Sequence, residues 1–142
     1  MAGRQPAGTA QARRVDWFAA GLGLVVAVAI DVAASLLLLG GLSRGTAVSQ
    51  GILTFVALGL GGFLAGYIGT PRGISVAAWN GIVVAIGFIV VEQLAGVAGP
   101  VGPLGSAGLD TLGLVVDDVL VLTGGTLGGL AGGGTRVTLT RK

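Results

Sequence analysis

Four carboxylic acids lie well inside the apolar segments of this chain, and no other residues there are better suited to chemistry. Asp31 lies in the first segment, Glu92 in the third, and Asp117 and Asp118 in the fourth. An ionised side chain at the centre of a membrane costs about 3 kcal/mol or more, so such acids pair, bind protons or bind cations. The sequence predicts an ion or proton site at these four residues as one hypothesis. Hydrogen-bonded helix contacts and an interface with another membrane protein are the alternatives.

Several other chemistries are excluded by composition. The chain has no cysteine and no histidine, which removes disulfides, the usual zinc sites and histidine-ligated haem. Its glycine-rich segments lack the Lys-Ser/Thr ending of a phosphate-binding loop, and no spacing indicates a nucleophile with a base. We therefore predict a protein that is not an enzyme and that has no cofactor and no metal.

Composition also sets the fold class. Of the 142 residues, 53% are hydrophobic and only 10% are charged, whereas about a quarter of residues are charged in a soluble domain. The apolar residues form four segments, each long enough to cross a hydrocarbon core of about 30 Å. We predict an all-α, integral membrane four-helix bundle with antiparallel neighbours. Its spans are predicted at about 17–42, 47–69, 74–98 and 109–135, between basic cytoplasmic tails at 1–16 and 136–142.

The basic residues predict how the bundle is oriented. If both termini lie inside, seven of the eight Lys and Arg residues are inside and only Arg44 is outside. Lys and Arg concentrate on the cytoplasmic side of membrane proteins, so the sequence predicts an N-in, C-in, multi-pass protein. These residues lie outside the apolar segments, which favours a topology signal over binding to nucleic acid.

The glycines and small residues predict which helix faces meet. Glycines spaced for close helix contact occur in the second and fourth spans, where those of the fourth follow Asp117 and Asp118 on two adjacent ridges. The predicted packing positions are Gly59, Gly62, Gly66, Gly69, Gly124, Gly125, Gly128, Gly129, Gly132 and Gly133. Small residues precede Asp31 and Glu92 in the same way. We expect these stripes to face the interior. In the alternative without an ion site, the acids are protonated or hydrogen-bonded to Asn80, Gln93, Ser35 or the backbone.

One motif carries a resemblance. The run Gly61 to Tyr67 (GGFLAGY) is followed by a short turn and by Asn80-Gly81, and the last helix repeats Gly-Gly-x-x-Gly-Gly. This pattern resembles small four-span prokaryotic membrane proteins of unknown function that carry a Gly-Gly-x-x-Ala-Gly motif. The resemblance implies a prokaryotic inner membrane and no particular activity.

The sequence thus leads to two functional hypotheses. The first is a non-enzymatic membrane protein that forms a homo-oligomer or serves as an accessory subunit of another membrane protein, with the lipid bilayer around it. The second is a small proton- or cation-coupled transporter or channel that uses the intramembrane carboxylates.

Overall fold

The computed structural model describes residues 15–40, 47–69, 73–98 and 111–139. Within these ranges the chain is all-helical and has no strand. The helices are α1 (Trp17–Gly40), α2 (Ala47–Ile68), α3 (Ile74–Ala98) and α4 (Thr111–Leu139).

All four helices are long and apolar enough to cross a membrane. The shortest has 22 residues, which at the α-helical rise corresponds to about 33 Å. The candidate spans are Trp17–Leu37, Gly51–Ile68, Ile74–Leu94 and Val115–Leu139. An all-helical membrane protein follows from this, because helices satisfy their own backbone hydrogen bonds in lipid.

The fourth helix extends further along the chain than its apolar sequence indicated. It continues to Leu139, beyond the predicted end of the span at residue 135. The hydroxyls of Thr135 and Thr138 donate to the carbonyls of Ala131 and Gly134, each at 2.8 Å, so these polar residues are satisfied within the helix. The first residues of the predicted tail 136–142 are therefore helical.

Local signals fix the starts of α1 and α3. The Asp16 carboxylate accepts a hydrogen bond from the Ala19 backbone N–H at 3.1 Å, which caps the exposed N–H groups of the first turn. Gly73 precedes α3 with a φ of 107°, a conformation that favours glycine. Its carbonyl accepts hydrogen bonds from Val76 and Ala77 N–H.

The helices are arranged with α1 and α4 at opposite corners. Both pack against α2 and α3, and the most extensive contact is between α2 and α4. Asp31 of α1 reaches Thr54 of α2, whereas Arg136 of α4 reaches the last turn of α2. The bundle has two ends. We call the end that carries Asp31, Glu92, Asp117 and Asp118 the acid end, and the opposite one the Arg136 end.

The core between the helices is small and apolar. It is formed by side chains that are at most 2% exposed, and half of them are alanines. The buried cluster consists of Ala20, Ala27, Leu58, Ala65, Val84, Ala85, Phe88 and Val121. Because so many members are alanine, the backbones of neighbouring helices approach one another closely.

Candidate functional site

Asp31 is the most deeply buried of the four acids. Its side chain is 4% exposed, and it accepts a hydrogen bond from the Thr54 hydroxyl at 2.9 Å. Ala19, Gly23 and Ala27 lie on the same face of α1 at intervals of four residues, and all three are buried. The small-residue stripe of α1 therefore faces the interior, and it carries Asp31 against α2.

The other three acids differ in burial. Glu92 and Asp117 are half-buried, whereas Asp118 is exposed. Glu92 nevertheless lies within electrostatic range of Asp31, Asp117 and Asp118. The fold thus brings the acids of three helices to one end of the bundle, with only Asp31 enclosed.

An apolar layer closes the interior one turn below these polar residues. On each helix we count four positions from the polar residue towards the Arg136 end, and the residue found there is buried and apolar. Asp31 is followed in this direction by Ala27, Thr54 by Leu58, Glu92 by Phe88, and Asp117 by Val121. All four layer residues are at most 2% exposed and belong to the core cluster. The acids therefore lie one helical turn from a layer of buried apolar side chains.

The acids are not arranged as a metal site in the part of the chain described. No group of three or more Asp, Glu, His or Cys residues there is placed to hold a metal ion. Each buried side-chain nitrogen or oxygen atom of these residues also has a hydrogen-bond partner. The geometry can hold a proton or exert a negative potential, and it lacks a preformed cage for a cation.

One of the possible hydrogen-bond partners of the acids, Asn80, is placed elsewhere. Asn80 is fully buried towards the Arg136 end, where its amide donates to the Ala65 carbonyl at 3.4 Å and its carbonyl accepts from Asp16 N–H at 3.0 Å. Gln93 is exposed. Asn80 is therefore not a partner of the acids, because it lies about three turns before Glu92 on α3.

A second polar cluster, absent from the sequence prediction, lies at the Arg136 end. The Arg136 guanidinium donates to the carbonyls of Tyr67 and Ile68, both at 2.8 Å, and lies 5.9 Å from the centre of the Tyr67 ring. A cation beside the last carbonyls of a helix is favourable. The signal in the sequence was the position of Arg136, which lies four residues after Gly132 and therefore on the same face of α4 as Gly128 and Gly132.

The two glycine ridges of α4 face different helices. A Cβ added to Gly124, Gly128 or Gly132 would meet the backbone of α2, whereas one added to Gly129 would lie 2.5 Å from the Ala77 carbonyl oxygen of α3. Gly125 approaches both helices. A Cβ added to it would meet Gly81 of α3, and a Cβ added to Gly62 of α2 would meet Gly125.

The remaining predicted packing glycines vary in their surroundings. A Cβ added to Gly66 or Gly69 would collide with Gly129 or Asn80, and Gly133 is buried. Gly59 has open space at its Cβ position, although its carbonyl approaches Gly128.

A shallow groove runs along the outer side of α4. It is lined by Leu122, Thr123, Thr126 and Leu127. The two hydroxyls donate to the carbonyls of Val119 and Leu122 in their own helix, at 2.6 and 2.7 Å. They are already satisfied, so the groove presents an essentially apolar surface.

Comparisons with protein-family models, curated proteins and solved structures give no match for this chain.

Proposed function

We propose that this protein is a non-enzymatic membrane component that works in assembly, as a homo-oligomer or as an accessory subunit of another membrane protein. The observation that supports this most directly is the exposure of α4 at the acid end. Between Val115 and Thr123, only Asp117 and Val121 are not exposed. An ionisable residue, Asp118, belongs to this exposed surface, and such residues are strongly disfavoured in contact with lipid.

The glycine contacts support a rigid scaffold for such an assembly. Close backbone approach of α4 to both α2 and α3 gives tight van der Waals packing, which is a main source of helix association in lipid. In this proposal the fixed part of the bundle lies near the glycine ridges, and the acid end of α4 projects from it. The basic residues favour an orientation with both termini in the cytoplasm.

A proton- or cation-coupled transporter is the competing proposal, and the electrostatic proximity of Glu92 to the other acids favours it. Transport requires a path through the protein, however. The layer of Ala27, Leu58, Phe88 and Val121 is buried and apolar, and it lies between the acids and the Arg136 end. The assembly proposal needs no such path, so it fits the geometry better.

The proposal is tested by the mass of the protein extracted from its native membrane into nanodiscs. We expect a particle heavier than one chain, containing either several copies or a second membrane protein. A homogeneous monomer at native expression levels would contradict assembly. Proton or cation flux in liposomes that contain the purified chain alone would instead support the transporter.

A further inference from the structure

The tryptophan and tyrosine side chains of this protein all lie near the Arg136 end of the bundle. The sequence contains two tryptophans and one tyrosine, and each of them is on a different helix. Trp17 is the first residue of α1, Tyr67 is the last but one of α2, and Trp79 lies in the second turn of α3. Their side chains are exposed, at 73%, 37% and 44%, so they belong to the outer surface of the bundle and not to its core.

The hydrogen bonds of Asn80, the residue directly after Trp79, hold the three helices at one level. The side-chain oxygen of Asn80 accepts from the N–H of Asp16, which directly precedes α1, at 3.0 Å. Its amide group donates to the carbonyl of Ala65, in the last turn of α2, at 3.4 Å. The start of α1, the end of α2 and the second turn of α3 therefore lie side by side.

The fourth helix contributes Arg136 at the same level. Its guanidinium donates to the Tyr67 carbonyl at 2.8 Å and lies 5.9 Å from the centre of the Tyr67 ring. This level coincides with the ends of the apolar sequence, since the candidate spans of α1 and α2 are Trp17–Leu37 and Gly51–Ile68. Each helix thus carries an aromatic or cationic residue within about two turns of the end of its apolar segment.

We propose that Trp17, Tyr67 and Trp79 form an anchoring ring that lies in the phospholipid headgroup layer on the Arg136 side of the membrane. Indole and phenol side chains combine an apolar ring with a hydrogen-bonding group, so they are most stable where hydrocarbon meets the headgroups. The occupant of this surface is lipid, whichever protein contacts the bundle elsewhere.

The anchoring ring also fixes the depth of two acids. Asp31 follows Trp17, and Glu92 follows Trp79, by nearly the same number of residues, which corresponds to about 20 Å along each helix. The hydrocarbon core is about 30 Å thick, so both acids lie beyond its middle when measured from the ring. Because α1 and α3 run in the same direction and give the same depth, the ring serves as a common reference level for both.

Depth-dependent quenching of tryptophan fluorescence tests the anchoring ring. The full chain is reconstituted in phosphatidylcholine vesicles that contain lipid with a nitroxide either on the headgroup or at the twelfth acyl carbon. Both leaflets contain the nitroxide, so the direction of insertion does not affect the result. Trp17→Phe and Trp79→Phe each leave one native tryptophan. We expect both variants to be quenched at least about twofold more by the headgroup nitroxide, because an interfacial indole lies beside it.

A matched control places a tryptophan deeper on the same helix face. Ile86→Trp is made in a chain that also carries Trp17→Phe and Trp79→Phe. Ile86 is exposed as well, at 50%, and lies two turns beyond Trp79, about 10 Å deeper. We expect its quenching to be at least about twofold stronger with the acyl-chain nitroxide, which reverses the order. Tyr67→Trp in the same background should behave like the native tryptophans, and circular dichroism checks the folding of each variant.

Three results would overturn the anchoring ring. Equal or stronger quenching of Trp17 or Trp79 by the acyl-chain nitroxide would place that side chain in the hydrocarbon. Quenching by aqueous iodide and by neither lipid would place it in water, and no quenching at all would place it beneath another protein or another copy of the chain. None of these measurements depends on the mass of the native particle, so the ring and the proposed assembly stand or fall separately.

Discussion

At the scale of single residues, the hydrogen bond between Thr54 and Asp31 is a buried polar link between two helices at the acid end. Both side chains are buried, at 6% and 4% exposure, and the hydroxyl donates at 2.9 Å. The bond joins α1 to α2 directly above the apolar layer. It therefore contributes to the stability of the bundle whatever role the other acids have.

We predict that Thr54→Val lowers the free energy of unfolding by about 1 kcal/mol, the scale measured for hydrogen bonds between helices in membranes. Valine has nearly the shape of threonine, so the loss reports the hydroxyl and not a cavity. The measurement is reversible unfolding of the purified protein in mixed micelles. Thr54→Ser, which keeps the donor, serves as the control and should lose only the contribution of the methyl group.

A Thr54→Val protein as stable as the wild type would show that the bond contributes nothing net. This outcome would be informative, because it would leave Asp31 without a stabilising role in its buried position.

The sequence was sufficient to locate the acids and insufficient to pair them. The four-residue repeat of small residues that ends at Asp31 placed it in the interior, because side chains at that interval share one face of a helix. Choosing Thr54 as its partner required the relative height of α1 and α2, which hydrophobic patterning does not specify. Asp118 was expected inside as well, yet it is exposed. Its neighbours on α4 are mostly exposed, since the packed part of that helix begins at Val121.

At the scale of helices, α4 packs against its neighbours from Val121 onward and is mostly exposed at residues 115–120. From Val121 onward, the buried positions of α4 are Val121 and glycines that contact α2 and α3. Glycine brings backbones close because it has no Cβ. A larger residue at the same position would then collide with the neighbouring helix. The contact between α2 and α4 offers a matched pair of positions with which to measure this requirement.

We predict opposite effects of the same substitution at two glycines of α2. An alanine Cβ at Gly66 would collide with the Gly129 carbonyl and lie 2.9 Å from its carbon atom, whereas at Gly59 it meets nothing within 4 Å. Gly66→Ala should therefore destabilise the protein by about 1 to 3 kcal/mol, the usual cost of overpacking. Gly59→Ala should be neutral or should stabilise it by up to about 1 kcal/mol, through helix propensity.

Thermal unfolding of both variants in the same detergent provides the comparison. Equal melting temperatures for the two variants would mean that α2 and α4 separate without cost, and would remove the basis for a rigid scaffold.

The number and approximate positions of the helices could be predicted because four apolar segments of sufficient length are separated by Gly, Pro and polar residues. The far end of α4 could not, since its last threonines form hydrogen bonds within the helix that polarity alone does not reveal.

At the scale of the whole molecule, orientation in the membrane depends on charges outside the packed region. The arginines and lysines at 4, 13, 14, 72, 136, 141 and 142 all fall on the predicted cytoplasmic side, and Arg44 falls on the other. Arg136 has a second role, because it also stabilises the end of α2 through the carbonyls of Tyr67 and Ile68. In the predicted orientation, the acid end faces away from the cytoplasm.

We predict that both termini lie in the cytoplasm, and the absence of native cysteine allows a direct measurement. Ala10→Cys, Ser106→Cys and Thr140→Cys each introduce a single thiol, which is then exposed to a membrane-impermeant maleimide in intact cells. Only Ser106→Cys should react before the membrane is permeabilised, because seven of the eight basic residues hold the other two positions inside. All three should react afterwards, which controls for access.

Labelling of Ala10→Cys and Thr140→Cys in intact cells would reverse the orientation and place the acid end in the cytoplasm. Partial labelling of all three would indicate insertion in both directions.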